Sequence, residues 1–172
     1  TAEAQVDRRV VSLNSGWRFL RGDVAGAFAE DFNTETWQVV DLPHTFDGAR
    51  ADKPADYYRG PAWYRRIIRA EPNDLGKPQY IEFDGAALVT GVWINGQKVG
   101  RHAGGYARFR FLITPFLKAG RNTVAVRVDN SKAEDVLPLG GDFTLFGGIY
   151  RPVRLVTTSS VHFDMMDYGG PG

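Results

Sequence analysis

Several side chains able to bind a metal ion or exchange protons lie close together in the segment DLPHTFDGARADKPADYY. They are His44, Asp47, Asp52 and Asp56. A calcium loop of the D-x-D-x-D-G type also needs a glycine and a terminal glutamate at fixed positions, which this segment lacks. Pro54 indicates an irregular, solvated loop instead. The spacing therefore favours neither a metal site nor an acid and base pair.

The composition excludes several other kinds of chemistry. The sequence has no cysteine, which removes disulfides, thiolate metal ligands and a cysteine nucleophile. Its histidines, His44, His102 and His162, lack the spacing of a zinc site, so we expect no metal and no cofactor. A formal net charge of +1 and the lack of an apolar run of about 18 residues predict no nucleic-acid partner and no membrane association. The charge favours a neutral partner.

Aromatic side chains can bind sugars because the C–H faces of a sugar ring pack on them. Tyr57, Tyr58 and Trp63 cluster at the end of the acidic segment. A carbohydrate-binding module that acts alone would use such a platform.

The elements that position these residues are predicted to be β-strands. Apolar and polar residues alternate in short runs between turn residues, as in TVAVRVDN and QYIEFDG. Within QYIEFDG the alternation predicts that Glu82 faces solvent. Asn95 and Gly96 in VWINGQKVG predict a type I′ hairpin turn. ITPFLKAGRN predicts at most one helical turn.

About ten short strands and three long loops, at residues 22–32, 41–60 and 130–148, predict an all-β protein. A jelly-roll β-sandwich is the favoured architecture, with an immunoglobulin-like sandwich as the alternative. We expect one domain over residues 1–172, with its core at about 9–165.

Five segments in this order resemble the amino-terminal sugar-binding domain of glycoside hydrolase family 2, the family of β-galactosidases and β-glucuronidases. They are SLNSGWRFLRGD, WQVVDLPHTFDG, YYRGPAWYRRIIR, VTGVWINGQKVGRHAGGYARFRFLITPFLKAGRNTVAVRVDN and DFTLFGGIYRPVRL. The resemblance covers about residues 12 to 156. It implies a galactose-binding-domain-like jelly roll, followed in the longer protein by an immunoglobulin-like module and a catalytic barrel.

The resemblance also implies what the domain does. The family takes its two catalytic glutamates from the barrel, so no catalytic residue is expected in this chain. The resemblance also assigns Asp142 to sugar binding. An ionised carboxylate suits this role because it can accept two hydroxyl hydrogen bonds. In the family the region of His44 and Asp47 can approach the active site or the subunit interface. Tyr57 and Tyr58 stay as candidates for sugar contact, although their motif leads into a core strand and favours packing.

The sequence therefore predicts the non-catalytic domain of a retaining, β-galactosidase-like exo-β-glycosidase. Its expected partners are a terminal β-linked sugar and the catalytic barrel of the same polypeptide, with a homo-oligomer as a further option. The alternatives are a free-standing carbohydrate-binding module and a domain that only mediates assembly. The alanine-containing start is compatible with signal-peptide removal and suggests a periplasmic or secreted protein.

Overall fold

A computed structural model describes residues 8–46, 58–131, 136, 146–162 and 164–166 of the chain. In these ranges the chain forms ten β-strands: β1 Arg9–Ser12, β2 Trp17–Arg21, β3 Gln38–Val40, β4 Pro61–Ala70, β5 Gln79–Phe83, β6 Val89–Ile94, β7 Gln97–Ala103, β8 Phe109–Leu112, β9 Gly120–Asp129 and β10 Val153–Thr157. Single 3-10 turns, Pro72–Asp74 and Thr114–Phe116, precede β5 and β9. No helix within the described ranges is long and apolar enough to cross a membrane.

The strands form two antiparallel sheets. One has four strands in the order β1-β10-β5-β8, and the other has six in the order β3-β2-β4-β9-β6-β7. Neighbours in each sheet are mostly distant in sequence, because the chain crosses repeatedly between the two layers. The prediction of an all-β jelly-roll sandwich is confirmed.

The main core lies between the sheets. Val124, Val126 and Val128 of β9 are fully buried there, as their alternation predicts, and pack with Tyr64 of β4 and Phe83 of β5. Burying each apolar side chain of this size contributes about 1.5–3 kcal/mol. The core therefore holds the two layers face to face.

A second apolar cluster covers part of the other face of the six-stranded sheet. Trp63 of β4 and Ala125 of β9 pack there against Ala27 and Trp37. The guanidinium of Arg65, only 4% exposed, donates hydrogen bonds to the carbonyl oxygens of residues 27, 29 and 30. Residues 22–37 are thereby held over the outer face of the sheet.

The hairpin prediction is confirmed. Asn95 and Gly96 join β6 to β7 with φ angles of 50° and 79°, which a type I′ turn requires. The Asn95 side chain also accepts the N–H of Thr123 at 2.9 Å and donates to the Asn122 Oδ1 at 2.7 Å. This end of the sandwich is therefore closed by side-chain hydrogen bonds.

The prediction that Glu82 faces solvent is wrong. Glu82 is 2% exposed, because it lies opposite Arg154 of β10 and Arg110 of β8 and their long side chains cover it. Its carboxylate lies 3.4 Å from the Arg154 guanidinium and forms a 3.2 Å ion pair, without hydrogen-bond alignment, with Arg110. Beside it, the hydrogen bond from Arg154 holds the pKa of Asp84 below its usual range. Alternation identifies the face of a strand but not what covers that face.

Candidate functional site

Two of the long loops leave the sandwich at the same end: the first loop runs from residue 46 to residue 58, and the second from residue 131 to residue 146. Asn130 links the roots of these two loops. Asn130 follows β9 directly and is fully buried. Its Oδ1 accepts the N–H of Gly60 at 2.8 Å, and its Nδ2 donates to the carbonyl oxygen of Tyr58 at 2.9 Å. The end of the first loop and the start of the second are thus fixed to each other.

The other two roots are joined through backbone hydrogen bonds. The N–H of His44 donates to the carbonyl oxygen of Ile149 at 2.8 Å, and that of Phe46 to Gly147 at 2.9 Å. On its other side, Gly148 exchanges hydrogen bonds with Ala87, at 3.1 and 3.4 Å. Both loops therefore start and end in one hydrogen-bonded patch.

This close approach requires glycine. A Cβ atom at Gly148, whose φ is 136°, would lie 2.4 Å from the carbonyl oxygen of His44. At Gly147 it would lie 2.3 Å from the Phe46 ring. The two glycines thus let residues 146–149 pack directly on the chain that enters the first loop.

His44 lies half-buried at this patch, where its ring edge packs on Phe19 at a centroid distance of 4.5 Å. Its Nδ1 is 2.8 Å from the hydroxyl of the buried Tyr64. Burial raises the pKa of Tyr64 and lowers that of His44, and the Tyr64 oxygen also receives the backbone N–H of Ile149. We infer that the Tyr64 hydroxyl donates to Nδ1, which leaves the proton of a neutral His44 on Nε2 as a donor.

Tyr58 lies half-buried at the other root of the first loop. Its hydroxyl donates to the carbonyl oxygen of Pro61 at 2.8 Å, and its ring packs edge-on against Phe46. The Arg21 guanidinium lies 5.4 Å from the centre of the same ring. These contacts agree with the packing role that the sequence favours for Tyr58.

The structure thus places His44 and Tyr58 at the two roots of one loop, with Phe46 between them. Asp47, Tyr57 and Asp142 lie outside the described residues. Sequence reasoning missed Asn130 and Tyr64, the polar residues that organise the patch. Tyr64 falls in an alternating run and Asn130 at the first break after one, but neither signal shows which groups they would bind.

Near the second loop, the exposed side chain of Arg151 donates to the carbonyl oxygens of Asp84 and Tyr106 at 3.4 and 3.2 Å. Across the described ranges, no three His, Asp or Glu side chains are grouped to hold a metal ion.

Comparison with known proteins identifies the family. Residues 11–159 match the family described as glycosyl hydrolases family 2, sugar binding domain. The chain belongs to this family. The family 2 domain is 38% identical over 168 residues to a β-glucuronidase of Bacteroides fragilis, covering 96% of this chain and 23% of that protein. It is 38% identical over 164 residues to a β-galactosidase of Thermoanaerobacter pseudethanolicus, covering 90% and 22%.

A solved structure gives the same result. The family 2 domain resembles β-glucuronidase 2 of Bacteroides uniformis, bound covalently to cyclophellitol-6-carboxylate aziridine, with a TM-score of 0.90 and 40% identity. The match covers 96% of this chain and 20% of that one. The family 2 domain therefore spans about a fifth of the length of the relatives it matches, and the family predicted from the sequence is confirmed.

Proposed function

We propose that this domain is the non-catalytic amino-terminal part of a retaining exo-β-glycosidase that hydrolyses O-glycosidic bonds. It supports the catalytic barrel of the same polypeptide and lends the Asp142 carboxylate to the pocket for the terminal sugar. The observation that carries the proposal is the hydrogen-bonded patch that joins the roots of both long loops. Asp47 and Tyr57 belong to the first loop and Asp142 to the second.

The physical argument concerns the cost of ordering a loop. A long loop loses conformational entropy when it is held against a neighbour, and fixing both of its ends in advance reduces that loss. Asn130 and the pairing of residues 44–46 with 147–149 fix the ends of both loops at once. Such an arrangement suits loops that reach into a pocket built largely by another domain.

His44 adds a polar group to the surface at the same end of the sandwich. With its Nδ1 bound to Tyr64, the imidazole offers an Nε2 proton that can bind a sugar hydroxyl or a carbonyl of the barrel. This contact is secondary to that of Asp142, because a neutral donor forms a weaker hydrogen bond than a carboxylate acceptor.

The test is Asp142→Ala in the full-length protein, assayed on a panel of nitrophenyl β-glycosides that also identifies the preferred sugar. We expect kcat/KM to fall about 10- to 100-fold, or roughly 1.4 to 2.7 kcal/mol, with no loss of fold. Glu35→Ala, which removes an exposed carboxylate that belongs to neither loop, should leave kcat/KM unchanged. Wild-type kinetics in a folded Asp142→Ala protein, or glycoside hydrolysis by the 172-residue chain alone, would contradict the proposal.

A further inference from the structure

A groove of about 1060 Å³ opens on the outer face of the six-stranded sheet, toward the ends of β4 and β9 farthest from the loop roots. Residues 22–37 cover the neighbouring part of this face but not the groove. Ile67, 37% exposed, and Thr123 lie opposite each other on β4 and β9 and line it, together with Phe32 and Thr34. The groove is large enough for an oligosaccharide segment.

Strand register places like charges opposite each other in this groove and directly beside it. Arg18 of β2 pairs with Arg65 of β4, and two residues further along β4 beyond Ile67, Arg69 pairs with Arg121 of β9. Like charges directly opposite each other destabilise a sheet. Two such pairs on one face therefore favour an anion that would lie between them.

The cations differ in how far the protein itself compensates them. Arg65 is compensated by three loop carbonyls, and Lys118 by an ion pair with Glu30. Among the residues that the structure describes, Arg18 has only the carbonyl oxygen of Trp37 as a hydrogen-bond acceptor, at 3.3 Å.

Arg69 and Arg121 are exposed and form no ion pair or side-chain hydrogen bond with any described residue. Of the two acids that line the groove, Glu30 binds Lys118, while the charge of Asp31 acts on Arg65. Arg18 and Arg121, which line the groove, thus remain available to an anionic ligand, as does Arg69 beside Arg121.

We propose that this groove binds an acidic oligosaccharide, one that carries carboxylate or sulfate groups along its chain. Arginine forks match the geometry of both groups and form charge-assisted hydrogen bonds with them. Ile67 and Phe32 provide an apolar surface for the sugar rings, and the hydroxyl of Thr34 can bind a sugar hydroxyl. The site lies outside both long loops and does not depend on the role proposed for Asp142.

The experiment titrates the 172-residue chain and the full-length protein with three oligosaccharides of equal length: an oligoglucuronate, a heparin-type sulfated oligosaccharide and a neutral cello-oligosaccharide. Binding is measured by calorimetry at low salt and at about 150 mM salt. Arg121→Glu reverses a charge in the groove. Arg101→Glu is the matched control, because it makes the same change in net charge at an exposed site on β7, at the far edge of the same sheet.

We expect both acidic oligosaccharides to bind, more weakly at the higher salt, and the neutral one not to bind. Arg121→Glu should raise Kd about 10- to 100-fold, whereas Arg101→Glu should change it less than about twofold. Asp142→Ala should leave this binding unchanged, which separates its outcome from the glycosidase test.

Four results would overturn the proposal. If Arg121→Glu and Arg101→Glu weaken binding equally, binding depends only on the overall electrostatic field of the protein and not on the groove. Equal affinity for the neutral oligosaccharide would show that charge has no role in binding. A lack of binding to both acidic oligosaccharides would show that the groove is not a binding site for them. Binding by the short chain but not by the full-length protein would show that an acidic surface of the remaining polypeptide fills the groove.

Discussion

Asn130 provides the sharpest test of how the two loops are positioned. Asn130→Ala removes the acceptor for the buried Gly60 N–H and the donor for the partly buried Tyr58 carbonyl. Each buried polar group left without a partner costs about 1–3 kcal/mol, so the free energy of unfolding should fall by about 2–6 kcal/mol. Urea denaturation of the 172-residue chain measures this quantity.

Asn122 is the matched control at the opposite end of β9. It is equally buried, and its side chain binds the N–H and carbonyl of Lys118 and the carbonyl of Gly120. Asn122→Ala should therefore destabilise the chain by a comparable amount, because it also leaves partly buried backbone groups without their partners. It leaves the roots of the two long loops intact.

The two variants should differ in the activity of the full-length protein. Under the proposed function one of these loops contacts the substrate, and displacing such a loop by about 1 Å can cost on the order of 100-fold in rate. Asn130→Ala should therefore lower kcat/KM about 10- to 100-fold. Asn122→Ala should leave kcat/KM within about twofold when both proteins are assayed well below their unfolding temperatures. The reasoning is refuted if both variants lose activity equally, or if Asn130→Ala is destabilised but fully active.

Two further predictions concern stability and are measured by urea denaturation. Glu82→Gln should lower the free energy of unfolding by about 3–5 kcal/mol, because the buried Arg110 Nε loses the carboxylate that it faces, although Arg154 keeps its ion pair with Asp84. Glu30→Gln, in an exposed pair, should lower it by less than about 1 kcal/mol, and similar losses in the two variants would show that the buried cluster has no special role. Gly148→Ala should lower the free energy of unfolding by about 1–3 kcal/mol more than Gly22→Ala. Both glycines have positive φ, but of the two only Gly148 lies close to another backbone segment. Equal losses of stability would mean that the contact with His44 relaxes freely.

Much of the fold could be predicted because it depends on local pattern. The alternation in TVAVRVDN predicts the buried valines of β9, and Asn95 with Gly96 predicts the hairpin turn. Glu82 could not be predicted correctly, because its burial results from arginines on two strands that are distant in sequence. Only the register of the sheet brings these residues together.

The candidate site, too, could be predicted from the sequence only where it depends on local pattern. Local composition identifies the two long loops and the glycines at Gly147 and Gly148, but not the hydrogen bonds by which Asn130 joins the loop roots. The groove is even less accessible to sequence reasoning. A net charge of +1 gives no indication that Arg69 and Arg121 lie side by side, because that follows from the pairing of β4 with β9.

The anchoring of residues 22–37 by Arg65 has a consequence for sequence divergence. Its guanidinium binds main-chain carbonyl oxygens of residues 27, 29 and 30, which every amino acid provides. Substitutions at these three positions therefore preserve the anchor, provided that the side chains at the buried positions still fit. The loop can change its surface chemistry over evolution while its path across the sheet is retained, and the constraint falls on the single arginine.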